Sequence, residues 1–184
     1  RKKPAAGWRK PPIVGMRLID ERPDIADRMI PGNWEGDLIF GKDGTSACAT
    51  LVERTTRYLI IVVLPLGRRA DQVCDAVTRR IHGLPEGAMR TLTWDQGREM
   101  ARHQRLTHDT GVEVFFAHPH SPWERGTNEN TNRLIRRYLP KGTPITSHQP
   151  YLDAIAYELN NCPRATLGYR TPTEAFNQLI ATTH

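Results

Sequence analysis

Tyr58–Leu64 is apolar and largely β-branched without a break, so this stretch of the 184-residue chain has no polar face. A strand of that composition has to be covered on both sides, which demands helices or a second sheet above and below it. A half-exposed hairpin or meander cannot satisfy it. The run is read as a central strand. It stays apolar only as far as Leu66, about half the length needed to cross a bilayer as a helix.

The neighbouring segments supply the remaining layers. Trp34–Phe40 and Ala47–Glu53 are short, partly apolar runs on either side of Gly41-Lys42-Asp43-Gly44, a hairpin-loop signature. Ala70–His82 sets Ala70, Val73, Cys74, Val77 and Ile81 on one helical face and stops at Gly83. Arg90–Trp94 reads as a fourth strand, Arg98–Thr110 as a weaker helix ending at Gly111, and Val112–Phe116 as a fifth strand. Ser121-Pro122-Trp123-Glu124 has the pattern of a capping box, with Thr127 as the alternative helix start. Tyr151–Asn160 is amphipathic through Leu152, Ile155, Ala156 and Leu159, and Thr171-Pro172-Thr173-Glu174 opens a last helix through Phe176, Leu179 and Ile180. The order β-β-β-α-β-α-β-α-α gives an α/β domain. Its mixed five-stranded sheet has three antiparallel strands first and helices on both faces, the layout of the ribonuclease H fold.

Composition narrows the class. Hydrophobic residues at 38% and charged residues at 25% are globular values, which sets aside disordered and membrane-spanning readings. No apolar core of a signal peptide follows the basic start, so secretion is set aside as well. Cys48, Cys74 and Cys162 are an odd number with no CxxC pair, against a disulfide framework or a thiolate zinc site and in favour of a reducing compartment. The net charge is +6, and Arg1, Lys2, Lys3, Arg9 and Lys10 crowd the first ten residues. Residues 1–30 read as a basic arm or linker, and because the chain begins with Arg rather than Met it is expected to be a piece of something longer. Residues 31–184 are expected to form the core.

Three carboxylates fall at element ends: Asp37 in the first strand, Asp95 where the fourth strand closes, and Glu129 thirty-four positions later. Glu129, Asn132 and Arg136 stand at i, i+3 and i+7 and share one helical face, with Leu134, Ile135, Tyr138 and Leu139 opposite. A two-metal phosphoryl-transfer site needs several acidic oxygens around a pair of Mg²⁺ ions about 3.5–4 Å apart. Arg136 could grip a substrate phosphate. Spacing alone leaves the plainer reading open, since acids at strand ends are usually solvated.

The motif identities go further. Trp34-Glu-Gly-Asp-Leu-Ile39, Trp94-Asp-Gln-Gly97, Ser121-Pro-Trp-Glu-Arg-Gly-Thr-Asn-Glu-Asn-Thr-Asn132, Tyr138-Leu-Pro-Lys-Gly-Thr143 and Leu167-Gly-Tyr-Arg-Thr-Pro172 resemble the bacterial IS30-family transposases, DDE enzymes of the retroviral-integrase-like group. The resemblance covers about residues 20–180, and it implies that the arm at residues 1–30 leads from a DNA-binding region upstream. It implies an acidic triad at Asp37, Asp95 and Glu129 holding two Mg²⁺ or Mn²⁺, with 33 residues between the second and third acids. Glu124 is a rival in the same stretch, but Gly126, Glu129 and Asn132 fit the pattern Gly-x-x-Glu-x-x-Asn. Arg136 matches a basic residue seven places after that acid. Two positions depart: Arg133 stands where relatives more often have Gly, and His118 stands where an acid is expected.

The implied activity is DNA strand cleavage and 3′-hydroxyl strand transfer at insertion-element ends, with double-stranded DNA as partner and a homo-oligomer as the active complex. Its location would be the bacterial cytoplasm, on the nucleoid. Asn132, Arg133, Arg136, Arg137, Lys141 and His120 are the expected DNA contacts, and Arg54, Arg57, Arg68 and Arg69 could extend the track. Neither GxGxxG nor GxxxxGK[ST] occurs, so no nucleotide cofactor is expected. His118 and His120 read as polar loop residues rather than a metal pair. Trp34, Trp94 and Trp123 read as core residues rather than base-stacking platforms, and Glu35 as a structural acid. The competing reading is a catalytically silent ribonuclease H-like module that holds DNA or a partner subunit. A hydrolase of RNA–DNA hybrids shares the fold but not the motifs.

Overall fold

The computed structural model describes residues 13–22 and 30–182. Most of the expected basic arm lies outside the described residues. Five strands form one sheet: β1 (Asn33–Phe40), β2 (Ala47–Glu53), β3 (Leu59–Val63), β4 (Thr91–Trp94) and β5 (Glu113–Phe116). The helices are α1 (Ala70–His82), α2 (His103–Thr110), α3 (Gly126–Ile135), α4 (Gln149–Asn160) and α5 (Pro172–Thr182). The spatial order is β3-β2-β1-β4-β5. The pairs β1·β2 and β2·β3 are antiparallel, and β1·β4 and β4·β5 are parallel.

Strand alternation splits the core between the two faces. Leu38, Ala49, Leu51, Ile60 and Val62 pack with Val73, Val77 and Ile81 of α1, Leu106 of α2 and Phe176 of α5. Ile39, Cys48, Val52, Leu59 and Ile61 pack with Ile135 of α3 and with Leu152, Ile155 and Leu159 of α4. Trp34 and Trp94 are fully buried, as expected of core residues. Trp123 departs from that expectation, at 71% exposed.

The apolar run forms β3, but β3 is an edge strand and not a central one. Its faces are covered by the helices of both layers, which accounts for the lack of a polar face. Its open edge is closed by side chains of α4. Asn160 accepts from Leu59 N and donates to Leu59 O, both at 2.8 Å. Gln149 does the same for Val63 N and Ile61 O, also at 2.8 Å. A bare edge is thereby denied to other strands.

Two helices begin differently from expectation. Arg98–Thr110 divides into a 3-10 turn, Arg98–Met100, and α2. Ser121 makes no side-chain cap; Pro122–Arg125 is a 3-10 turn, and α3 starts at Gly126. The last capping box forms as read, with Thr171 N donating to Glu174 Oε2 and Glu174 N to Thr171 Oγ1. Residues 13–22 run beside β5, where Leu18 bridges Phe116 and Arg17 O accepts from Phe116 N at 2.8 Å.

Candidate active site

Parallel pairing of β1 and β4 sets the first two acids side by side. The register joins Glu35 to Thr93, and two residues further along it come Asp37 and Asp95. Both are half-buried, with side-chain exposures of 26% and 42%. Asp95 Oδ1 accepts from Gly97 N at 2.7 Å, a turn that fixes the carboxylate as the chain leaves the strand. Asp37 Oδ1 accepts from Leu38 N at 2.9 Å, and its Oδ2 accepts from Asn132 Nδ2 at 3.1 Å. Burial pushes the Asp37 carboxyl above the ordinary carboxylate value. Arg125 pulls it the other way, and Asp95 adds a smaller upward push.

Asn132 reaches Asp37 because α3 is tied down by polar contacts. Thr127, Asn128, Thr131 and Ile135 are the buried residues of this helix, so its first turns meet the sheet through a polar face. The apolar stripe read from the sequence is interrupted: α3 ends at Ile135, and Tyr138 and Leu139 lie beyond it. Glu35, 1% exposed, accepts from Asn128 N at 2.9 Å through Oε2 and from Arg54 Nε at 2.9 Å through Oε1. Thr50 Oγ1 lies within hydrogen-bonding distance of both Asn128 Oδ1 and Asn132 Oδ1, at 3.1 and 3.0 Å. Arg57 donates to Thr127 Oγ1. Glu35 is thus a structural acid, as expected. Arg54 and Arg57 serve α3 rather than an open basic track, while Arg68 and Arg69 are exposed.

Glu129 is exposed, one turn before Asn132 on α3. Among the described residues no group of three His, Cys, Asp or Glu stands close enough to hold a metal, so the structure joins Asp37 with Asp95 but leaves Glu129 apart. The rival Glu124 is engaged elsewhere. It accepts from His118 N at 2.7 Å and lies 2.9 Å from His118 Nδ1, while His118 Nε2 is 3.0 Å from Asp20. These two carboxylates raise the His118 pKa, the hydrogen bond to Glu124 most of all. This pairing gives the unexpected histidine a place in the fold. Arg136 donates to Phe40 O and Leu139 O, at 3.1 and 3.3 Å, and so secures the end of β1. Arg133, Arg137, Lys141 and His120 are exposed.

One residue of the site carried no signal as a functional group. Arg125 sends Nη1 to within 3.5 Å of Asp37 Oδ1 and Nη2 to within 3.8 Å of Asp95 Oδ2. A cation lodged between two carboxylates marks where the fixed negative charge is concentrated. Carboxylate oxygens are the donors that Mg²⁺ and Mn²⁺ prefer, so the residues present fit a hard divalent cation. A pocket of about 320 Å³ opens beside Asp95, lined by Gln96, His118, His120, Ser121 and Arg125 among others.

Residues 28–122, more than half of the chain, match the family described as the integrase core domain. The chain belongs to that family. The match to this integrase core includes Asp37 and Asp95 and ends before α3. The chain is 48% identical, over 94% of its length, to the transposase for insertion sequence element IS1086 of Cupriavidus metallidurans. It is 47% identical, over 93% of its length, to the transposase InsI for insertion sequence element IS30A of Escherichia coli. It spans about half the length of these curated relatives, 51% and 45%. Its fold is like that of the catalytic core domain of BIV integrase, with a TM-score of 0.65 at 21% identity, over 84% of this chain and 99% of that one. That likeness bears out the ribonuclease H-like fold expected for an integrase core. No described helix is long and apolar enough to cross a membrane.

Proposed function

We propose that this chain is the catalytic core of an insertion-element transposase, cutting DNA strands at element ends and joining the freed 3′-hydroxyls to target DNA. The observation that carries the reading is that Asp37 of β1 and Asp95, one residue past the end of β4, both face the Arg125 guanidinium, with Asn132 of α3 hydrogen-bonded to the first. Asp37, Asp95 and Glu129 would hold two Mg²⁺ or Mn²⁺ ions. When bound, such ions activate the attacking hydroxyl and stabilise the leaving oxygen of an in-line displacement. Glu129 is chosen over Glu124 because Glu124 is committed to His118, whereas Glu129 is exposed on the helix that reaches Asp37.

The protein's own part is positional. β1 and β4 fix two carboxylates, Glu35 and Thr50 seat α3, and α3 carries the third acid. Arg133, Arg137 and Lys141, exposed on and after α3, would follow the DNA backbone, so binding should weaken steeply as salt rises. His120 and Asn132 are assigned to the same DNA, and Arg136 contributes by fixing the β1 end. The active complex is expected to be a homo-oligomer on the bacterial nucleoid, because transposition brings two active sites together.

The test is nicking of supercoiled plasmid by the purified chain in Mn²⁺, beside Asp95→Asn. Nicking that needs the metal and disappears in the variant supports the reading. A folded Asp95→Asn protein that nicks as well as wild type refutes it.

A further inference from the structure

Arg125 bridges Asp37 and Asp95 with an incomplete set of contacts. Its side chain is 13% exposed, and Nη1 also lies 3.3 Å from Gly36 O. Nε is buried and has no hydrogen-bond partner. Both contacts to the carboxylates are long beside the 2.7–2.9 Å or so of a well-formed charge-assisted pair. A nearly buried guanidinium carries a large desolvation cost, offset here by two carboxylates held at a distance and with one donor unused. A divalent ion would meet the same oxygens at about 2.0–2.2 Å with twice the charge.

We propose that Arg125 is a latch on the metal site: it neutralises Asp37 and Asp95 in the metal-free protein, and a divalent cation enters only as the guanidinium leaves. The inference rests on the reading of these acids as metal ligands. The local backbone suits a side chain that must be released. Arg125 sits at the joint between the 3-10 turn Pro122–Arg125 and α3, at φ −126° and ψ 31°, outside the helical region. Gly126 follows, with open space where a Cβ would stand. α3 is held separately, by Glu35 on Asn128 and by Thr50, so Arg125 can swing out without unseating the helix. The pocket beside Asp95 gives the displaced guanidinium room.

Such a latch would keep two neighbouring carboxylates from repelling each other before metal arrives, and would make metal loading a competition between cations. Removing the arginine should therefore tighten metal binding even though it removes contacts from the folded state. That sign is opposite to the one expected for a residue that merely supports the ligands.

The experiment is calorimetric titration of Mn²⁺ into the wild-type chain, Arg125→Gln, Arg125→Lys and Arg79→Gln at pH 8, with circular dichroism as the check on folding. Arg79 of α1 is exposed and has no part in the site, so its variant removes the same unit charge without touching the latch. Arg125→Gln is expected to bind Mn²⁺ about tenfold more tightly than wild type, a gain limited by the partial exposure of the aspartates. Arg79→Gln should stay within about twofold. Arg125→Lys, which keeps the charge, folds with the least disturbance and should fall between wild type and Arg125→Gln. Equal affinity in wild type and Arg125→Gln, or an equal gain in Arg79→Gln, overturns the latch and leaves the metal site standing. Absence of binding in all four proteins overturns the latch and the metal site together.

Discussion

Glu35 does more for the architecture of the site than either aspartate beside it, and its removal should show this. The carboxylate is buried, pairs with Arg54 through one oxygen and accepts from Asn128 N through the other. Asn128 N is one of the first amides of α3, which has no side-chain cap of its own at Arg125. Glu35 thus caps α3 from a neighbouring strand. Glu35→Ala leaves the Arg54 guanidinium, 10% exposed, without its counter-charge. Breaking a buried pair by removing one partner costs about 3–5 kcal/mol. The orphaned amide adds about 1 kcal/mol, the low end of its range because water enters the space left behind. A total of about 4–6 kcal/mol is a large part of the roughly 5–15 kcal/mol that a domain has.

Urea unfolding at pH 7 should then move its midpoint down by about 2 M, taking a slope of about 2–3 kcal/mol per M. Glu35→Gln, which keeps the shape and one acceptor, should cost about half as much. A double-mutant cycle with Arg54→Ala isolates the pair and should return a coupling of at least about 1.5 kcal/mol. A loss below about 1 kcal/mol in Glu35→Ala, or a double mutant that equals the sum of the singles, would refute the reasoning.

Three other outcomes follow from particular contacts. Asp37 has a raised pKa, so its ionised form opposes folding. The stability it contributes is full below the unfolded carboxylate pKa of about 3.8 and is lost as pH rises through the higher folded value, so Asp37→Asn should raise Tm at pH 7. That gain should vanish in scans below pH 3.8 or so; a lower Tm at pH 7 contradicts the assignment. Asn160→Ala strips both hydrogen bonds from Leu59 on the outer edge of β3 and should cost about 2–4 kcal/mol in chemical denaturation. Trp123→Ala, at an exposed position, should change stability by less than about 0.5 kcal/mol. It should weaken single-stranded DNA binding about tenfold by fluorescence anisotropy, the value of one stacked base; unchanged affinity would return Trp123 to the bare surface.

What could be read from the residues is what neighbours in sequence decide. β2 and α1 occupy the expected spans because alternation and a 3.6-residue period are local signals, and Thr171 and Glu174 cap α5 because a capping box needs only four residues. The edge position of β3 escaped because Asn160 and Gln149 close it from 101 and 86 residues away along the chain, and burial alone looks the same at centre and edge. Placing Asp37 beside Asp95 was legible once two strands were taken to be parallel. The seating of α3 was not: Glu35, Arg54, Thr50 and Asn128 look like ordinary polar residues until the sheet brings them together. Arg125 escaped for the same reason, since nothing in Trp123-Glu124-Arg125-Gly126 announces that its guanidinium turns towards two strands.

The most direct test of the central claim is the anomalous difference map of a crystal soaked in Mn²⁺. The account predicts density held by Asp37 and Asp95, with Glu129 brought in as the further carboxylate and the Arg125 guanidinium displaced from between them. Density bound instead by Glu124 and His118, or an Asp37–Asp95 pair still bridged by Arg125 at saturating Mn²⁺, would contradict it.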